Sequence, residues 1–176
     1  MAAAARVGYP VALKTAEPGI LHKTEARGVH LDLADENAVR VAWRDLAERL
    51  GTRCVLARMM PTGVEIALGM VRDPQFGSII TVGAGGVLIE LLADRRAALA
   101  PFGPVTARRL LDGLALRRLL DGYRGGTRVD IDRLALAISH FSLLAADLAD
   151  LVAEIDVNPL VCGQDIAAVD ALIVLA

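Results

Sequence analysis

The chain has 176 residues, of which 55% are hydrophobic, 23% charged and 3% aromatic, and 19 Lys and Arg stand against 21 Asp and Glu for a net charge of −2. That balance excludes a polybasic nucleic-acid binder held by bulk charge, and the apolar fraction excludes disorder. Mean hydropathy is high at +0.48, yet Glu65, Glu90, His140, Asp147 and Glu154 break every run well short of the ~18–20 apolar residues that a membrane-spanning helix needs.

The chain opens on an Ala-rich stretch with no basic start and no long apolar run. It is not a signal peptide, and a cytoplasmic protein is expected. After Gly8-Tyr9-Pro10, residues 11–16 read as a buried strand, 17–27 as a loop around Pro18 and Gly19, and 28–33 as a second strand. Asp35 precedes a helix over 36–50, where Val39, Ala42, Leu46 and Leu50 recur at helical spacing and Gly51 marks the stop. Residues 53–60 form a third strand. Pro61-Thr62-Gly63 then breaks the chain and divides a small first domain, 1–60, from a larger one, 61–176. Strands over 64–71 and 78–82 flank the turn Asp73-Pro74-Gln75-Phe76-Gly77. The glycine-rich 83–86 follows, and an apolar run extends to Leu92. Two short helices broken near Gly113 fill 105–123. Residues 131–148 make an amphipathic helix with Leu134, Ile138, Phe141, Leu144 and Leu148 on one face. Strands over 151–160 and 166–175 close the chain. Helices alternate with adjacent strand pairs, which indicates an α+β or mixed α/β fold and not a pure parallel sheet.

Four places carry groups able to do chemistry. Lys14 sits in an otherwise apolar strand, where a lysine needs either an anion or a route to solvent. The loop His22-Lys23-Thr24-Glu25-Ala26-Arg27-Gly28 gathers an imidazole, two cations and a glycine that lets backbone approach a ligand. A solvated polar loop explains it as readily. Gly83, Gly85 and Gly86 suit either close approach to a ligand or a tight turn, and the spacing is not that of a P-loop. In the strand Glu154-Ile155-Asp156-Val157-Asn158, period two puts Glu154, Asp156 and Asn158 on one face. If the last two strands pair, Asn158 and Asp170 present oxygens to one hard cation. Three histidines and two cysteines make no zinc site. Cys54 and Cys162, each inside an apolar run, read as buried small hydrophobes.

Together these blocks resemble the ATP-grasp β subunit or domain of ADP-forming (NDP-forming) acyl-CoA synthetases, which is related to the β subunit of succinyl-CoA synthetase. The resemblance rests on Gly8 to Lys14, Ile20 to Glu25, Asp73 to Gly77, the 83–86 glycines and Glu154 to Leu160, in family order across nearly the whole chain. It implies an ATP-grasp fold: a small lobe truncated at its N-terminus and a larger C-terminal lobe, gripping a nucleotide. It implies that Lys14 contacts ATP phosphates, and it places Lys23, Gly28 and the glycines Gly83, Gly85 and Gly86 with them. Met59 and Met60 fall where backbone meets adenine, and Glu65 near the ribose. Asn158 and Asp170 match the Mg²⁺ ligands, and His22 matches a histidine that is transiently phosphorylated. ATP/ADP and Mg²⁺ are the implied cofactors. The implied partner is a CoA-binding/ligase subunit or domain, in an oligomer, with no nucleic acid and no membrane. The chain departs from the family pattern at Arg27, where a glycine is usual, at Ala98, where an arginine is usual, and in starting almost at Gly8. The implied activity is acid–thiol ligation, acyl-CoA formation coupled to ATP conversion to ADP and phosphate. A degenerate ATP-grasp module serving regulation or an interface is the alternative.

Overall fold

The computed structural model describes residues 2–20, 23–86, 89 and 93–176. His22 and most of the apolar run to Leu92 lie outside the described residues. The chain divides into two compact units, Met1–Met60 and Pro61–Ala176.

The first unit is a three-stranded antiparallel sheet in the order β2 (Val29–Leu33), β1 (Val11–Thr15), β3 (Cys54–Arg58), with helices α1 (Ala2–Val7) and α2 (Glu36–Arg49) against it. Helix α1 was not foreshadowed by periodicity; four consecutive alanines supply the helix propensity. Helix α2 begins where the Asp35 carboxylate accepts the Ala38 N–H at 2.8 Å. It ends at Gly51, whose φ of +124° suits glycine. Val39, Ala42 and Leu46 are buried against Val11 and Leu13 of β1, because apolar residues spaced three and four apart share one face.

The second unit is a larger antiparallel sheet in the order β6 (Arg95–Leu99), β5 (Gly77–Ala84), β4 (Val64–Asp73), β7 (Val152–Cys162), β8 (Ile166–Ala168), with β9 (Leu172–Leu175) also paired to β7. Helices α3 (Pro104–Asp112), α4 (Arg117–Leu120) and α5 (Ile131–Asp147) belong to this unit. The β4–β5 hairpin turns on Asp73, whose Oδ1 accepts the N–H groups of Gln75 and Phe76 at 2.8 and 2.9 Å. Strand β6 was not anticipated. Arg95-Arg96-Ala97-Ala98-Leu99 has weak strand propensity, and the exposed edge of β5 imposes the ladder. The final stretch splits at 169–171 into β8 and β9, where one strand was expected.

The buried face of α5 also differs from the expected stripe. Leu134 and Ile138 are buried, but Leu144 is 48% exposed, and the buried positions continue through Ser139, Ser142 and Ala145. The serines are placed inward because they bond to the 100–102 turn. Ser139 Oγ donates to the Phe102 carbonyl at 2.9 Å, and Ser142 Oγ accepts the Phe102 N–H at 3.1 Å. Satisfied hydroxyls are tolerated in a core. The core joins α3 and α5 to Ile66, Leu68 and Met70 of β4, Ile80 and Val82 of β5, and Ile155 of β7. Leu134 is fully buried in it. Leu134→Ala is expected to lower unfolding stability by about 3 kcal/mol, read as a lower urea midpoint at unchanged slope.

Among the described residues, no helix is long and apolar enough to cross a membrane. Cys162 is buried, and burial pushes its thiol up to about 12. Cys54 is half-buried and its thiol is also raised, chiefly by burial. Neither is poised as a nucleophile.

Candidate functional site

In the second unit, Ile66, Leu68 and Met70 point into the core, so alternation turns Glu65, Ala67 and Gly69 to the sheet face away from it. The 83–86 stretch continues the β5 ladder along β4, with Gly83 opposite Ala67 and Ala84 opposite Ile66. The Gly85 N–H donates to the Glu65 carbonyl at 2.9 Å, and the Gly86 N–H donates to Asn158 Oδ1 at 3.0 Å. A Cβ on Gly85 would lie 2.6 Å from the Ile66 carbonyl carbon, and one on Gly86, whose φ is +56°, would overlap the Glu65 carboxylate. Two strands and a loop thus meet at a contact that only glycine permits. Gly83 is needed for another approach: a Cβ there would lie 2.6 Å from the Asp94 carbonyl oxygen.

Asn158 lies on β7, and Asp170 lies in the 169–171 break between β8 and β9, both of which pair with β7. Leu160 pairs with Ala168 across β7 and β8. The Val169 N–H donates to the Pro159 carbonyl at 3.1 Å and carries the ladder one step further. The pairs on either side of the break, Leu160 with Ala168 and Asp156 with Leu172, bracket Asn158 on β7 and Asp170 in the break. Asp170 Oδ1 also accepts the Ala171 N–H at 3.1 Å. Among the described residues, no group of three or more His, Cys, Asp or Glu is arranged to hold a metal by itself. Two oxygen donors suit an ion that takes its remaining ligands from phosphate and water, which is how Mg²⁺ is usually held.

A cavity of about 250 Å³ opens on the same sheet, with Gly69, Thr81, Asp94, Arg95, Glu154 and Asp156 among its lining. Thr81 and Asp94 carried no sequence signal. Asp94 is a brace: its carbonyl accepts the Ala84 N–H at 3.1 Å, and its carboxylate accepts the Leu116 N–H at 3.1 Å.

In the first unit, Lys14 lies between buried Leu13 and Thr15, so its side chain leaves the sheet on the face opposite α2. Val29 and Val55 are its cross-strand neighbours. The Lys23 carbonyl accepts the Gly28 N–H at 2.7 Å and closes the loop. Gly28 has a packing reason of its own, since a Cβ there would lie 2.6 Å from Thr15 Cγ2 and 3.3 Å from Leu50 Cδ1. Met59 and Met60 follow β3 directly and are half-buried. The Met59 N–H donates to the Pro10 carbonyl at 3.3 Å.

A model of the ATP-grasp domain family matches residues 1–175. The chain belongs to that family. It is 34% identical over 178 residues to the β subunit of acetate–CoA ligase [ADP-forming] I of Pyrococcus furiosus, covering 96% of this chain and 76% of that one. It is 35% identical to acetate–CoA ligase [ADP-forming] I of Archaeoglobus fulgidus, where the match covers 96% of this chain but only 26% of that one. An acetyl-coenzyme A synthetase of Ca. Korarchaeum cryptofilum, solved with coenzyme A and Mg-AMPPCP and with its phosphohistidine segment pointing towards the nucleotide binding site, superposes with a TM-score of 0.87. That structure is 34% identical, and the match covers 98% of this chain and 79% of that one. The chain is thus the ATP-grasp portion of an ADP-forming acyl-CoA synthetase, homologous to the separate β subunit of some relatives and to one domain of others.

For this ATP-grasp portion, Gly86→Ala is a direct probe of the glycine contact. The left-handed φ is strained for alanine by about 1 kcal/mol, and the methyl group would drive Glu65 or the loop aside and break the bond to Asn158. The expected result is Mg·ATP affinity lowered about tenfold, measured by calorimetry, with the thermal midpoint shifted by only a few degrees.

Proposed function

We propose that this chain binds Mg·ATP, passes the γ-phosphoryl group to His22, and exchanges that group with a CoA-binding/ligase subunit or domain that carries the acyl-CoA chemistry. The observation that carries the reading is the group formed by Glu65, Gly85, Gly86 and Asn158, with Asp170 in the break between β8 and β9.

Asn158 and Asp170 would hold the magnesium ion, which neutralises charge on the phosphates it shares. The Gly85 and Gly86 backbone would lie along those phosphates. Lys14 and Lys23 add positive charge for the phosphate oxygens. Met59 and Met60 present backbone to the base, and Glu65 sits near the ribose. Gly28 and Gly83 serve mainly by letting chain segments pack closely. The transfer balances as a displacement. An unprotonated imidazole nitrogen of His22 attacks the γ-phosphorus, a P–N bond forms, the P–O bond to ADP breaks, and ADP leaves with the electron pair. The separate β subunits and fused ligases among the relatives support a partner subunit or domain, and an oligomeric, cytoplasmic enzyme is part of this proposal.

The test is magnesium-dependent exchange of label between ADP and ATP by this chain without CoA. Exchange is expected, because the phosphohistidine returns its group to ADP. Nucleotide binding without exchange would favour a regulatory or interface module.

A further inference from the structure

Asp94 joins the glycine turn to the helices of the second unit. Its main chain serves one partner and its side chain another. The Asp94 carbonyl accepts the Ala84 N–H at 3.1 Å, at the residue where β5 ends. The next two N–H groups go elsewhere: Gly85 donates to the Glu65 carbonyl at 2.9 Å, and Gly86 donates to Asn158 Oδ1 at 3.0 Å. The N–H groups of Ala84, Gly85 and Gly86 are thus each held by a different acceptor, and Asp94 supplies the first.

The Asp94 side chain reaches the turn between α3 and α4, where Oδ2 accepts the Leu116 N–H at 3.1 Å. Leu116 is 2% exposed, so its N–H needs an acceptor from within the protein. The carboxylate is itself 7% exposed, with the Arg96 guanidinium 4.0 Å away. A buried carboxylate has the same need of donors. The joint is therefore fixed from both sides. Arg96 is steadied in turn. Its Nη1 donates to the Arg95 carbonyl at 2.9 Å, and a Cβ on Gly113, just past α3, would lie 3.0 Å from its Nε.

The backbone around Asp94 is also held. Ala93 has a φ of +46°, a conformation that residues with a side chain rarely adopt. Such a residue persists where its surroundings fix it. A Cβ on Gly83 would lie 2.6 Å from the Asp94 carbonyl oxygen, so β5 packs directly onto the carbonyl that Ala84 bonds.

We propose that Asp94 is a positioning residue for nucleotide binding: anchored to the α3–α4 turn through its carboxylate, it sets through its carbonyl the place from which Gly85 and Gly86 meet Glu65 and Asn158. This inference rests on the reading of Gly86 and Asn158 as part of the Mg·ATP site.

The test uses the full chain and three variants, Asp94→Ala, Asp94→Asn and Asp94→Glu. Mg·ATP affinity is measured by calorimetry. Amide hydrogen exchange is followed at Ala84 and Gly86, with the Ile138 amide of α5 as a report on the core. Asp94→Ala loses the acceptor for Leu116, and its Mg·ATP dissociation constant should rise about tenfold. Exchange at Ala84 and Gly86 should quicken about tenfold, and at Ile138 far less. Asp94→Asn keeps an acceptor oxygen in place and should recover most of both losses. Asp94→Glu keeps the charge but moves the anchor by one methylene, and should weaken binding about fivefold. If Asp94→Ala does not fold, Asp94→Glu decides alone: affinity equal to the parent's overturns the proposal. Exchange that quickens as much at Ile138 as at Gly86, or an Asp94→Asn as weak as Asp94→Ala, overturns it too. If the unsubstituted chain binds no Mg·ATP, the nucleotide reading falls and the proposal falls with it. Binding in the parent that is equally tight in Asp94→Ala overturns the proposal alone.

Discussion

His22→Asn is expected to abolish magnesium-dependent ADP–ATP exchange, by at least about a thousandfold, while Mg·ATP affinity stays within about twofold. Asparagine keeps a polar side chain in the loop but has no nitrogen lone pair able to attack phosphorus, because its amide nitrogen is conjugated to the carbonyl. An imidazole at neutral pH is partly unprotonated and can take the phosphoryl group and later release it. The loss should therefore fall on chemistry and not on binding. Incubation with γ-labelled ATP supplies the second readout. The parent should carry acid-labile, base-stable label, and the variant none. Full exchange by His22→Asn would move the acceptor to another residue.

Asp170→Ala is expected to weaken Mg·ATP binding about a hundredfold and to leave the fold intact. Asp170 is half-buried and sits in the 169–171 break between β8 and β9, so its removal takes no methylene out of the core. It does take away the carboxylate proposed to share the cation with Asn158. The nucleotide would then have to carry its cation with a single amide oxygen from this pair. Titration with ATP in excess EDTA separates the two contributions: the parent and the variant should bind metal-free nucleotide alike. Equal affinity of the two proteins for Mg·ATP would remove Asp170 from the metal.

Much of this arrangement can be read in the amino-acid order, for reasons that are local. Val39, Ala42 and Leu46 recur at helical spacing and are buried as that spacing requires. Asp73 and Gly77 mark the β4–β5 hairpin through turn chemistry. The pairing of β7 with β8 follows from two strands closed by a short turn at 163–165. What could not be read locally depends on distant partners. Strand β6 exists because β5 offers it an edge. Ser139 and Ser142 look like solvent positions on α5 until the 100–102 turn supplies their bonds. The glycines at 85 and 86 announce a close approach, but not that the approaching atoms belong to Glu65 and Ile66. Arg49 reads as an ordinary last-turn cation of α2. Its grip on the Ala26 and Arg27 carbonyls, 23 and 22 residues away, appears only when the chain is folded.

The most direct test of the account is a calorimetric titration of the purified chain with Mg·ATP, repeated with ATP in EDTA. One saturable site per chain is expected for Mg·ATP, with affinity that falls sharply once the metal is chelated. A folded chain that takes up no Mg·ATP at millimolar nucleotide would contradict it.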